Sequence, residues 1–189
     1  MNRQITLNQY RAIDLGLMTG LMCISQLVIH LAVTRWNAAE TGYIVSPVGA
    51  VVALVMMRWG PWAAIPAVVG GLLLTLLNAG TAQQTLIYGG GNLLALGALL
   101  YLNLAGKERI RGNAVLTLFF AVMVQLLMQL GRAGIALAMG HPPVACLDFI
   151  TTDALSILFT MVIIWIVRRV EGLFEDQKHY LLRIQQEQA

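Results

Sequence analysis

Long apolar stretches separated by short polar or helix-breaking segments organise this chain. Six runs, residues 12–33, 43–59, 61–78, 86–105, 114–139 and 144–167, are dominated by Leu, Val, Ile, Ala, Met and Gly. A helix needs about 20 such residues to cross a bilayer, so each run predicts one transmembrane helix, the second and third being short. The breaks fit this division. Residues 35–40 and 80–84 are polar, Gly60-Pro61 turns the chain, 107–112 are charged, and His141-Pro142-Pro143 stops a helix. Beyond residue 167 the texture changes: Val170, Leu173, Phe174, Leu181 and Ile184 recur at helical spacing among Glu, Asp, Lys and Gln. That pattern predicts an amphipathic helix continuing from the sixth span. The expected organisation is a six-helix transmembrane domain over residues 1–167 and a short C-terminal amphipathic helix over 168–189.

Composition agrees with lipid as the main solvent. Hydrophobic residues make up 58% of the 189 positions and charged residues 11%, with a mean hydropathy of +0.74. A soluble domain carries about a quarter charged residues, so the expected class is an all-α integral membrane protein. The net charge of +3 is small and scattered, which gives no footprint for nucleic acid. Position says more than sum. With the N-terminus inside, ten of the twelve Lys and Arg fall on the cytoplasmic side, leaving only Arg35 and Arg132 on the outer side. The positive-inside rule then places both ends in the cytoplasm and the chain in the cell membrane. Residues 2–9 are polar and the first run is long enough to span, so an uncleaved first helix is expected. Cys23 and Cys146 have no metal-ligand or CxxC spacing and read as small apolar fillers.

Polar residues inside the spans are costly in hydrocarbon and therefore informative. In the first span Gln26 and His30 share one face. In the fifth, Gln125, Gln129 and Arg132 follow an i, i+4, i+7 stripe, and the sixth offers Asp148, Thr151, Thr152 and Asp153 at similar depth. Arg132 needs a partner: either a structural ion pair with Asp153 or Asp148, or a ligand site built around it. Three consecutive glycines in Tyr88-Gly89-Gly90-Gly91-Asn92 let another backbone or a ligand approach the fourth span. Gly16 and Gly20 form a small-xxx-small pair on the first helix, and Gly70-Gly71 lie in the third. Polar groups thus gather in the outer half of the bundle, as a pocket open to the outside requires. No continuous relay of ionisable groups crosses the membrane.

Signatures of catalysis are missing. Ser25, Ser46 and Ser156 lack a protease nucleophile context, Asp148 and Asp153 lack the spacing of a metal-dependent phosphatidyltransferase, and there is no HExxH or nucleotide-binding loop. Neither enzyme activity, cofactor nor metal is expected.

Three local elements carry a resemblance: Tyr43-Ile44-Val45-Ser46-Pro47, Arg58-Trp59-Gly60-Pro61-Trp62-Ala63-Ala64, and Tyr88-Gly89-Gly90-Gly91-Asn92. With the six-span layout they resemble the substrate-binding S components of energy-coupling factor (ECF) vitamin importers. The resemblance implies a binding subunit for a small water-soluble micronutrient, working with a membrane-embedded transducer and two cytoplasmic ATPases. It implies a pocket in the outer half, with Asn92, Gln129, Thr152, Tyr88 and His30 around the ligand, Arg132 on a carboxylate or phosphate, and Asp153 on an amine or hydroxyl. The family's Ala-xxx-Ala transducer surface would fall on Gly16 and Gly20. An alternative from another class is a membrane sensor or scaffold whose C-terminal helix recruits a partner.

Overall fold

The computed structural model describes residues 6–35 and 45–181. All regular structure among them is helical: α1 (Leu7–Arg35), α2 (Val48–Trp59), α3 (Ala64–Leu77), α4 (Ala82–Gly91), α5 (Ala98–Ala105), α6 (Lys107–Gly112), α7 (Ala114–Ala138), α8 (Pro143–Thr151) and α9 (Ala154–Val167). Short 3₁₀ turns join α2 to α3 (Gly60–Ala63) and α4 to α5 (Asn92–Gly97). Five stretches are long and apolar enough to cross a membrane: Leu7–Arg35, Val48–Leu77, Ala82–Ala105, Ala114–Ala138 and Cys146–Val167.

The second of these is folded in two. Gly60 has φ +61° and ψ −119°, a conformation open to glycine and strained for other residues. The turn brings Val48 against Gly70, where a Cβ on the glycine would strike both Val48 methyls. In one straight helix those residues would stand about 33 Å apart. The predicted runs 43–59 and 61–78 are therefore the arms of a hairpin, with residues 43 and 44 outside the described segment.

The sixth predicted run is interrupted as well. The helix breaks at Thr152 and Asp153, dividing it into α8 and α9. Its expected continuation does not form either. α9 ends at Val167, residues 168–175 turn, with Gly172 at φ +73°, and helix resumes only at Gln177. Ile184 and the rest of 182–189 lie outside the described residues.

The turn folds back because the bundle offers its backbone and its apolar side chain better partners than water does. Phe174 is 0% exposed within the core. Arg58 donates from Nη1 to the carbonyls of Gly172 and Leu173, both at 2.9 Å, while its Nε and Nη2 grip Asp14 of α1 at 2.9 and 2.8 Å. Trp59 Nε1 donates to the same carboxylate. Lys107 pairs with Asp176 at 2.6 Å, Arg111 with Glu175, and Tyr10 donates to Gln177. One end of the bundle therefore gathers the start of α1, the Gly60 hairpin, α6 and the tail; it is called the basic end below.

Gly91 has Arg132 backbone atoms 2.5–2.6 Å from where a Cβ would sit, and Gly131 would meet the Gly91 carbonyl. Gly91→Ala is expected to destabilise by about 1–3 kcal/mol through overpacking. By contrast, Gly16 and Gly20 have nothing within 4 Å. Ala there is expected to be neutral or stabilising by up to about 1 kcal/mol, as helix propensity dictates; denaturation midpoints in detergent compare them.

The tail's docking carries a pH dependence. Burial raises the Asp176 carboxyl pKa, but the Lys107 hydrogen bond and charge, helped by His179, outweigh it and hold the pKa below the ordinary value. A depressed carboxylate stabilises the fold above its unfolded pKa and loses that contribution as pH falls through the folded one. Docking of the tail, read by proteolysis at Lys178, is expected to be constant from pH 7 to about 4 and to weaken below that. Asp176→Asn should reduce this dependence, leaving the part carried by the Glu175–Arg111 pair.

Candidate functional site

The centre of the bundle is built around one arginine. Because Gly91 and Gly131 have no side chains, α4 and α7 meet backbone to backbone, which sets Arg132 directly beside Asn92. Arg132 Nε donates to Asn92 Oδ1 at 2.8 Å and its Nη1 to Asp153 Oδ2 at 2.9 Å. The Tyr88 ring lies 5.0 Å from the guanidinium carbon, in cation–π range, and is held edge-on by Phe149. Asn92 is fixed from its other end, donating from Nδ2 to the Ala67 carbonyl of α3 at 2.9 Å. The break between α8 and α9 is what lets Asp153 point inward. It also accepts from Gln125 Nε2 at 3.0 Å.

The polar set runs further across the bundle. Gln125 Oε1 and Thr160 Oγ1 both crowd the position of a Cβ on Gly49, near the start of α2. At that start the backbone is not yet helical, and its polar groups need partners inside an apolar surround. Ser46 supplies the link: its N–H donates to Ser156 Oγ at 2.9 Å and its hydroxyl to Gln26 Oε1 of α1 at 3.0 Å. A line of polar side chains thus connects α1, α2, α7 and α9.

The structure sorts the expected site residues into two groups. Arg132, Asp153, Asn92 and Tyr88 come together, with Gln129 beside Arg132 on the buried face of α7. Of the two candidate acids for Arg132, Asp153 is the partner and Asp148 is exposed. His30 does not join: it is half-buried on α1, and no hydrogen bond, ion pair or ring contact ties its side chain to the cluster among the described residues. The inward residue on that helix is Gln26, one turn earlier. Thr152 does not join either, because its hydroxyl turns back to the Asp148 carbonyl of its own helix. Gly16 and Gly20 stand apart from the cluster, with no atom within 4 Å of where a Cβ on either would sit. Ser46, Ser156 and Thr160 were not expected in the site. The last two carried a signal, since Asp153, Ser156 and Thr160 repeat the i, i+3, i+7 spacing of a helical face.

The cluster is enclosed rather than open to one side. Arg132 retains 3% of its surface, Asp153 2% and Gln129 none. Enclosure makes its unsatisfied atoms conspicuous: Gln125 Oε1, both amide atoms of Gln129, Asp153 Oδ1 and Thr160 Oγ1 are buried without a hydrogen-bond partner among the described residues. Each such atom costs about 1–3 kcal/mol. No group of three or more His, Cys, Asp or Glu suited to a metal occurs among the described residues. No family model, curated protein or solved structure matches the chain.

Stability measurements separate the two kinds of residue. Arg132→Ala strands the Asp153 carboxylate and is expected to cost about 3–5 kcal/mol. Gln129→Leu removes two unpaired amide atoms and is expected to be neutral or to stabilise by about 1–2 kcal/mol. Chemical denaturation of both variants in detergent reads the contrast, and a large loss from Gln129→Leu would show that the amide is satisfied.

Proposed function

We propose that this chain is the substrate-binding subunit of an ECF-type importer for a small water-soluble micronutrient, with its ligand seat at the Gln125–Gln129–Asp153 face of the central cluster. One observation carries the reading: an enclosed set of hydrogen-bonding atoms in the middle of the bundle that no described residue pairs. Packing alone would be served better by Leu or Met at position 129. A ligand rich in polar groups supplies the missing partners and makes them favourable.

Six crossings with both ends in the cytoplasm belong to the same proposal. Tyr10 and Asp14 of α1 share the basic end with the returning tail at residues 172–177, so the chain crosses an even number of times. The hairpin at Gly60 supplies the sixth crossing beyond the five apolar stretches. Among the described residues eight of the ten Lys and Arg, all but Arg35 and Arg132, side with that end, which supports its being cytoplasmic in a cell membrane. Gly16 and Gly20, with open space around them, remain the surface proposed for a transducer, and two ATPases complete the importer. The scaffold reading gains nothing comparable, because the first part of the tail is spent on the bundle.

Native mass spectrometry of the protein purified from cells tests the proposal. A co-purified polar small molecule is expected with the natural chain and is expected to be retained at least about tenfold less by Gln129→Leu, one lost charge-neutral hydrogen-bonding pair being worth roughly that. Arg132→Ala is the weaker test, since it disturbs folding as well. Retention of the same molecule by Gln129→Leu at natural occupancy, or a chain that carries no ligand and gains no stability from any water-soluble vitamin, would sink the reading.

A further inference from the structure

The end of the bundle away from the tail has a small apolar cap of its own. Ile87 of α4, Ala136 of α7 and Cys146 of α8 are buried against one another there, with Tyr88, Met139 and Phe149 packed around them. This cap shares no residue with the main core. The polar cluster separates the two: Arg132 falls on α7 between Met128 of the core and Ala136 of the cap, and Asp153 falls between Cys146 of the cap and Ile164 of the core. An apolar patch cut off in this way is a unit that opens at a lower free energy than the whole fold.

The three walls of the cap are not held equally. α7 is one unbroken helix of 25 residues that continues from the core. α4 is locked to α7 through Gly91 and Gly131, and to α3 at Gly71, where a Cβ would meet the backbone of Tyr88. α8 has no such hold. It is nine residues long, Gly140 at φ +87° and the extended Pro142 precede it, and the break at Thr152 and Asp153 follows. Among the described residues no side-chain hydrogen bond or ion pair joins it to another element: Thr151 turns back on its own helix, and Asp148 is exposed. Its anchors in the cap are Cys146 and Phe149, and the Phe149 ring meets Tyr88 edge-on at 5.8 Å.

We infer that α8 is a lid that turns as one piece about Gly140 and the Thr152–Asp153 break, and that lifting Phe149 off Tyr88 opens the way to the Gln129 and Asp153 face. Enclosure demands such a device. Arg132, Asp153 and Gln129 are each 3% exposed or less, so a ligand reaches them only if a wall moves. The purpose of the lid rests on the ligand seat proposed above; its motion rests on the packing of α8 alone. The Arg132 pair fixes the hinge at Asp153, and Gly140 gives at the other end.

The full-length protein in dodecyl maltoside tests this through its own thiol. Cys146 is covered while α8 is seated and reactive once it lifts, so labelling by N-ethylmaleimide, read on the Cys146 peptide by mass spectrometry, reports the open state. In the natural chain the rate is expected to change little with low denaturant, because a short lid exposes little surface, whereas global unfolding responds steeply. Phe149→Ala is expected to raise the rate about tenfold by removing the ring contact with Tyr88. Leu147→Ala, at an exposed position of the same helix, is expected to leave it within about twofold. Where a small molecule co-purifies, its removal is expected to speed labelling. Labelling that keeps pace with global unfolding, no rise with Phe149→Ala, an equal rise with Leu147→Ala, or a retained small molecule whose removal leaves the rate unchanged would each overturn the lid and leave the seat standing. Opening as expected in a protein that never holds a small molecule supports the lid and counts against the seat.

Discussion

A guanidinium within an apolar helix has to be paired where it stands, and much of the centre of this bundle is arranged to do that for Arg132. Coulombic attraction between buried charges is strong, but so is the loss of hydration, and the balance favours the fold only when the geometry is tight. Here the requirement reaches three other elements. α9 must begin late enough for Asp153 to point inward, the chain after α4 must tighten into a 3₁₀ turn that starts at Asn92, and α4 and α7 must touch through Gly91 and Gly131. None of these features is favourable in isolation. A helix break leaves backbone groups unpaired, and glycine in a helix costs about 1 kcal/mol relative to alanine. They become favourable together because each shortens a distance to the same charge.

The basic end repeats the device with a different purpose. Arg58 is 5% exposed and also uses its guanidinium as a junction, but its partners are a carboxylate on α1 and two main-chain carbonyls of the tail. Where Arg132 ties helix to helix, Arg58 ties the hairpin and the first helix to a segment that is not helical. Gly172 makes that segment possible twice over, through its positive φ and through the Tyr180 ring that lies against its α-carbon. The consequence is a tail that belongs to the bundle as far as Gln177, which is 1% exposed.

How much of this was legible in the sequence depends on the range of the interaction. Apolar runs, the Gly60-Pro61 turn and the i, i+4, i+7 stripe of Gln125, Gln129 and Arg132 are local patterns; the turn and the stripe appear where they were expected, and the runs appear as helices, the fourth and sixth of them interrupted. The partner of Arg132 was narrowed to two acids because both lie at similar depth, and only the helix break at Thr152-Asp153 decides between them. Depth was a poor guide for His30 and Thr152. They sit near the right level but on other faces, and a face is fixed by helix rotation, which long-range packing sets. The tail shows the converse. Its apolar spacing does read as an amphipathic helix, yet Phe174 and the carbonyls before it find a better arrangement in a turn, because Arg58 stands more than 110 residues earlier in the chain, beyond the reach of any local pattern.

The pairing of Arg132 also changes what the central cluster is suited to hold. From sequence, Arg132 read as the group for a carboxylate or phosphate, but with Asp153 at 2.9 Å its charge is already met. An anion at that point would have to displace Asp153 and leave a buried carboxylate stranded, at about 3–5 kcal/mol. A neutral polar molecule carries no such cost, since the atoms left over are amide, hydroxyl and one carboxylate oxygen, most of them acceptors. Recognition at the proposed seat would therefore rest on hydrogen bonds rather than charge, with Arg132 holding Asp153 in place.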